Sequence, residues 1–466
     1  MNNNDENSHS NNNEDQTDDQ NSSLDSNDVH RNTKLSKKSG KNKKDVYLTP
    51  SQLLALDYMK RESNVFITGS AGTGKSHLIK YYKQNHNKKI PLLSSTGVSA
   101  VIFGGRTVHS FFSLGAMNED YYYIMERIYT NPKLLARLQT VKEVVIDEVS
   151  MLSGKTFDMI DRILKEIKNN NFPFGGVRLI CVGDFFQIPP IDVNEKKQPD
   201  YAFVSRSWRN ANFVTVELKE PMRQSENEFL EVLNNIRQGI CTDRDDAFLR
   251  KHLLKPNENF EGTRLFAKKD KVREYNRIKL QEIDSPLKEF WTEFTGDPKD
   301  IARLKRNLPI DDVLQIKVGA LVMIRVNDNK NKEYEYVNGT MAKVVSIGHD
   351  HVVLKKFDGN LVTLKKHTFH LKNGDFETIS TATNIPITLN FSISFHKSQG
   401  ATIDRCLIDL KEVWTPSMIY VALSRLSNSD GLRIINYDRK KIGVDPLIKR
   451  YYQYIEAQRK KLEKDR

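Results

Sequence analysis

A chain of 466 residues has room for two or three domains. Its formal net charge of +12 favours a polyanionic partner, and no apolar run approaches the roughly 18 residues of a membrane span. The three scattered cysteines, Cys181, Cys241 and Cys406, are odd in number and lack metal-ligand spacing, which excludes a disulfide framework; a soluble intracellular protein is expected.

Residues 1–30 carry eight Asp or Glu and no Lys or Arg, and residues 31–44 carry seven Lys or Arg. Neither stretch holds enough apolar surface to offset chain entropy, so 1–45 reads as a disordered tail, acidic and then basic. The basic half is either a nucleic-acid tether or import signal, or a solvated linker. From Val46 onward, near-continuous apolar runs alternate with helical patterns: "NVFIT", "IPLLSS", "EVVID", "VRLICVG" and "FVTVEL". Such runs suit parallel strands buried on both faces, and with helices between them they predict a doubly wound α/β architecture. Phe157, Ile160, Leu164 and Ile167 recur at helical spacing before a Pro173–Gly176 loop. From about 315 to 375, short strands separated by Gly, Asn and Asp turns predict a small inserted antiparallel β-barrel. Pro446 opens a basic amphipathic helix with Leu447, Tyr451, Ile455 and Leu462 on one side.

Gly69–Ser76, "GSAGTGKS", matches the full P-loop pattern, follows an apolar strand and precedes a helix. Gly69, Ser70, Ala71, Gly72, Thr73 and Gly74 would turn backbone N–H groups toward phosphate oxygens at a helix N-terminus. Lys75 would reach the β- and γ-phosphates of ATP, and Ser76 would ligate Mg²⁺. "EVVIDE" sets Asp147 and Glu148 at the end of a strand about 70 residues later. Asp147 would hold the metal and Glu148 would orient and deprotonate the attacking water. Arg223 and Arg425 are candidate suppliers of positive charge to the γ-phosphate as its bond breaks. "VGDFFQIPP" then pins a neutral amide, Gln187, between two phenylalanines and two prolines.

The order of these motifs resembles superfamily-one helicases, and within them the petite-integration-frequency (PIF-type) 5′-to-3′ DNA helicases, relatives of RecD-like enzymes. "LTPSQLLAL" is similar to the adenine-reading motif, with Gln52 in the reading position. "SSTGVSA" and "GGRTVHSFF" resemble strand-gripping motifs, which implies DNA contacts at Thr96, Gly97 and His109. "FDMIDRILKEIKNNNFPFGGVRLI" resembles the family's signature segment, "VNGTMAKV" the start of its inserted barrel, and "SFHKSQGATID" and "YVALSR" its last two motifs. Gly400 is thereby a nucleotide contact, and His396, Ser398 and Gln399 would couple the DNA track to the nucleotide. The resemblance places Gln187 near the γ-phosphate, reporting it to the DNA surface. Two departures stand out: Met222 replaces an aromatic beside Arg223, and Ser417–Met418 replace a Gly–Gln pair.

The resemblance implies two RecA-like domains with ATP between them. Domain 1A spans 46–210 with a small wedge near 110–125. Domain 2A spans 211–313 and 389–445, the barrel 314–388, and the basic helix 446–466. The implied activity is ATP-dependent 5′-to-3′ unwinding of single-stranded and forked DNA by a monomer, in replication, recombination, repair or telomere upkeep. The setting would be the nucleus, or a site of bacterial or viral replication. An ATPase that remodels DNA without processive unwinding, or an RNA helicase, are the alternatives.

Overall fold

The computed structural model describes residues 47–86, 89–96, 99–100, 105–115, 120–190, 198–222, 226–328, 335–372, 377–399 and 401–464. Residues 48–466 form one compact unit, and the acidic and basic tail lies outside the described residues.

The first lobe opens with α1 (Pro50–Lys60). Thr49 and Gln52 cap its start reciprocally, and Pro50 sits where a missing N–H costs nothing. Next come β1 (Val65–Gly69), α2 (Lys75–Asn85), β2 (Leu92–Ser94), β3 (Arg106–Thr107), β4 (Glu143–Asp147), α3 (Gly154–Ile167), β5 (Arg178–Val182) and β6 (Val214–Leu218). The strands form one parallel sheet in the order β3-β2-β4-β5-β1-β6. All of β1 and nearly all of β4 and β5 are buried, as expected of strands covered on both faces. In α3, Phe157, Ile160, Leu164 and Ile167 are buried as their spacing predicts, and the Asp161 carboxylate accepts the Phe174 N–H at 2.6 Å to hold the loop that follows.

β6 corrects the domain boundary drawn at residue 211. Its five residues pair in register with Val65–Gly69, so "FVTVEL" is the edge strand of the first sheet. An apolar run alone does not say which parallel sheet it completes.

The second lobe contains α4 (Asn227–Arg237), β7 (Thr263–Phe266) and α5 (Lys269–Gln281) before the insertion. The insertion runs through β8 (Lys288–Trp291), β9 (Glu293–Gly296), β10 (Val313–Ile316), β11 (Leu321–Ile324), β12 (Met341–Ile347), β13 (His351–Lys356), β14 (Leu361–Lys365), β15 (His367–Lys372), β16 (Thr378–Asn384) and β17 (Ile387–Leu389). Five of these form the expected antiparallel unit, β14-β13-β12-β11-β17, around Val322, Ile324, Val344, Leu354 and Val362. The insertion also starts earlier than residue 314: β8 pairs with β10 and β9 with β16, so residues from Lys288 belong to it. The chain returns as β18 (Ser392–Ser394), β19 (Cys406–Asp409), α6 (Ser417–Leu423) and β20 (Leu432–Ile435), giving a second parallel sheet, β18-β7-β19-β20.

The last helix, α7 (Pro446–Lys464), is no detached tail. Tyr451 packs among Phe66, Phe185, Phe203 and Trp208 of the first lobe, stacked on Phe203 at 4.3 Å, and its hydroxyl accepts the Trp208 Nε1–H at 2.9 Å. Tyr452 lies against Phe186, ring centres 4.4 Å apart. An amphipathic stripe read from sequence says that a face is covered, and here the cover is the core of a sheet nearly four hundred residues earlier.

Candidate active site

The loop between β1 and α2 is the residue-level start of the site. Gly74 has φ +78° and directly precedes α2, a left-handed conformation that an L side chain rarely adopts. A Cβ there would fall 2.6 Å from the Met222 Sδ and press on the Gln52 amide. Gly74→Ala is therefore expected to distort the loop and weaken nucleotide binding by at least about tenfold, read by titration with a fluorescent nucleotide. Thr73 ties the loop internally, donating to the Ser70 carbonyl at 2.9 Å. Lys75 Nζ donates to the carbonyls of Gly69 and Ser70 at 2.9 and 3.0 Å. Burial lowers the Lys75 pKa, opposed by the negative charges of Asp184, Glu148 and Asp147.

Gln52 is fully buried, and its amide is committed to the protein. Oε1 accepts the Thr49 N–H at 3.1 Å, while Nε2 donates to the Thr73 carbonyl and to the Met222 thioether, each at 3.1 Å. Met222, where the resemblance leads one to expect an aromatic, is thus also a partner of the loop, and its N–H donates to the Gly72 carbonyl at 2.8 Å.

Asp147 ends β4 and Glu148 directly follows it, two adjacent carboxylates. Asp147 accepts the Glu148 N–H at 2.9 Å. Burial, and then the neighbouring Glu148, raise the Asp147 pKa; burial raises that of Glu148, with Lys75 and Arg425 opposing. Glu148 is held at φ +54°, an unusual conformation for its residue type that aims the side chain off the strand end. Its Oε2 accepts from Gln399 Nε2 at 3.3 Å, and the same nitrogen donates to Gln187 Oε1 at 3.3 Å. One amide of the second lobe thereby bridges the acid and the pinned glutamine of the first. Gln399 Oε1 is buried with no partner among the described residues.

Arg425 is almost wholly buried at the end of α6. Its guanidinium donates to Val421 O at 2.8 Å, Ser424 Oγ at 2.9 Å and Ser398 O at 3.2 Å. Lys75, Ser76, Glu148, Gln187, Gln399 and Arg425 line one cleft of about 340 Å³. Its cations suit a triphosphate. The Ser76 hydroxyl and the buried Asp147 carboxylate are hard oxygen donors of the kind Mg²⁺ takes, and a cation would offset the cost of burying two acids together.

Other expected residues fall elsewhere. Ser398 is fully buried and its hydroxyl donates to the Phe395 carbonyl at 2.8 Å, so it is a strut under Arg425 and not a surface for DNA. Gln399 faces the nucleotide cleft. Thr96 is half-buried, with its hydroxyl on Ser99 at 2.8 Å, and His109 is half-buried in the helix Val108–Phe112. Phe111 and Phe112 are core residues. Gly97, Arg223, Gly400 and the side chain of His396 lie outside the described residues.

Sequence reasoning missed the buried network beneath the loop. Asp184 accepts the Phe186 N–H at 3.2 Å, but it is chiefly the acceptor for the Arg237 guanidinium on α4, at 3.0–3.3 Å. Tyr420 on α6 donates to Asp184 at 3.3 Å while its oxygen accepts the Ala71 N–H at 2.7 Å. The Tyr452 hydroxyl on α7 sits 2.7 Å from Thr68 Oγ1 and accepts the Phe185 N–H at 3.2 Å. The available signal was an acidic residue inside an otherwise apolar run, which demands a buried partner.

The model of the family described as PIF1-like helicase matches residues 45–247. The "ATP-dependent DNA helicase Pif1" of Bdellovibrio bacteriovorus is 38% identical, over 89% of this chain and 93% of that protein. The structure of Bacteroides sp Pif1 in complex with ADP-AlF4 superposes with a TM-score of 0.79 at 27% identity, over 89% of this chain and 98% of that one. Bacteroides Pif1 bound to ssDNA gives 0.60 at 26% identity, over 89% and 98%. With loop, acid pair and second-lobe arginine built into one cleft between two parallel sheets, the chain belongs to the PIF1-like helicases.

Proposed function

We propose that this chain is an ATP-dependent DNA helicase that moves 5′ to 3′ along single-stranded DNA as a monomer and opens duplex ahead of it. The observation that carries the reading is the Glu148–Gln399–Gln187 bridge, in which the second lobe holds both the acid of the first lobe and its rigid turn. Lys75 and Arg425 supply positive charge from opposite walls, and Glu148 orients and deprotonates water. Ser76 and Asp147 would hold Mg²⁺, which when bound neutralises phosphate charge. Because Gln187 closes a tight turn from Asp184 and is followed by Pro189 and Pro190, a shift at its amide passes into the backbone beyond it.

Opening a base pair costs about 1.4 kcal/mol of stacking on average, well within a hydrolysis cycle. The strand is gripped through its phosphates, which makes binding steeply salt-dependent. Single-stranded and forked DNA are the partners, at intracellular sites of replication, recombination, repair or telomere upkeep. No helix among the described residues is long and apolar enough to cross a membrane. Unwinding assays on 5′-tailed and 3′-tailed forks test the reading: the 5′-tailed fork should open, with ATP turnover stimulated by single-stranded DNA more than by RNA. Preference for the 3′-tailed fork would overturn the polarity, and equal stimulation by RNA would overturn the substrate.

A further inference from the structure

Arg325 directly follows β11, on the inserted unit, and is only 5% exposed. Its N–H donates to the Pro386 carbonyl at 2.8 Å, which fixes the strand end, but the guanidinium is poorly satisfied. Nη1 has the Met323 thioether at 3.1 Å, a weak acceptor, and Nε has no partner among the described residues. Burial brings its pKa down to about 10, with Asp311 acting in the opposite sense. Lys397, an exposed residue that lines the same cleft, feels the same carboxylate: desolvation lowers its pKa, Asp311 raises it, and Arg325, Lys269 and Arg273 lower it again.

An under-bonded buried guanidinium costs stability, and native chains keep few such groups without a use. Here the group lines the wall of the cleft that faces Lys75 and Glu148, with Lys397 and Asn338 beside it. The insertion is also seated against the segment that follows Gln399. Gly339 has φ +101°, and a Cβ there would lie 2.9 Å from the backbone of Thr402 and 3.1 Å from Ala401. The inserted unit therefore reaches the reaction cleft with a cation in place.

We propose that Arg325 and Lys397 form a phosphate-binding site on the second-lobe wall of the cleft, taking a phosphate group of the bound nucleotide or of the DNA backbone. The proposal rests on the ATP-and-DNA reading of the cleft given above. Through it the inserted unit senses occupancy directly, in addition to whatever Gln399 transmits.

Arg325→Gln and Arg325→Met in the full chain test it with two probes. One is a non-hydrolysable ATP analogue with Mg²⁺ and no DNA; the other is a single-stranded oligonucleotide with no nucleotide, titrated across salt. Affinity for one probe should fall about tenfold or more, as expected for a lost charge-assisted hydrogen bond. A loss confined to the analogue assigns the nucleotide. A loss confined to the oligonucleotide, with its salt slope reduced by about one, assigns the strand. Arg325→Lys should recover part of the affinity, while the melting temperature of Arg325→Met should hold or rise, because an unpaired buried charge has gone. Affinities for both probes within about twofold of the parent would overturn the site. If the Arg325 variants fail to fold, Lys397→Gln is titrated with the same two probes, and the same thresholds support or overturn the site. Lys75→Ala, run alongside for turnover, reports separately on whether the cleft hydrolyses ATP at all.

Discussion

Asp184→Ala is expected to destabilise the chain by about 3–5 kcal/mol, the cost of breaking a buried ion pair from one side. Arg237 is 8% exposed and Asp184 fully buried, so the guanidinium would keep only the more exposed Glu217 carboxylate, 3.6 Å away, as counter-charge. Tyr420 would lose an acceptor in the same step. Chemical denaturation of the nucleotide-free protein, followed by tryptophan fluorescence, measures the loss. Asp184→Leu combined with Arg237→Met should recover much of it, since replacing both charges removes the orphan. A loss below about 1 kcal/mol for Asp184→Ala would show that the pair is no strut between α4 and the first lobe.

Glu148→Gln is expected to cut ATP turnover by about 10²–10⁴-fold, the usual worth of a positioned base, while nucleotide binding survives because Lys75 and Ser76 are untouched. The amide keeps the shape of the carboxylate, so folding should be preserved. Single-turnover hydrolysis with saturating single-stranded DNA measures it, and a change below about tenfold would remove Glu148 from the water-activating role. The parent enzyme carries a pH signature of the same group. Burial raises the pKa of both Glu148 and the adjacent Asp147, so turnover should fall as pH drops through the raised range of the pair, and Glu148→Gln should shift that limb. The linked stability runs the other way. A carboxyl with a raised folded pKa binds protons more readily folded than unfolded, so the nucleotide-free protein loses stability as pH climbs from the ordinary carboxylate range through the raised value.

Much of this was legible in the sequence because it is local. The P-loop, the acid pair and the buried strands are specified by contiguous residues, and the structure brings Lys75, Glu148 and Gln187 together along one sheet edge. What was not legible depends on partners far along the chain. β6 looks like any apolar strand, and only its ladder with β1 shows which sheet it completes. β8 and β9 are short and polar, and they find their partners in β10 and β16, the latter more than eighty residues later. Ser398 sits in a motif associated with DNA, yet its register turns the hydroxyl into the helix and its carbonyl toward Arg425. Asp184 and Arg325 are each one residue in an apolar neighbourhood, and their roles are set by groups 53 residues away for the first and across the cleft for the second.

The seating of α7 has a consequence for how the chain is made. The aromatic cluster of the first lobe, from Phe66 to Trp208, takes in Tyr451, and the strand end beneath the P-loop meets the hydroxyl of Tyr452. A ribosome that has released only the first lobe has therefore exposed a nucleotide loop whose floor is still missing. The catalytic lobe is incomplete until α7 has been made. It waits, with part of its apolar surface open, until the second lobe and the insertion have been synthesised and α7 docks on the first lobe.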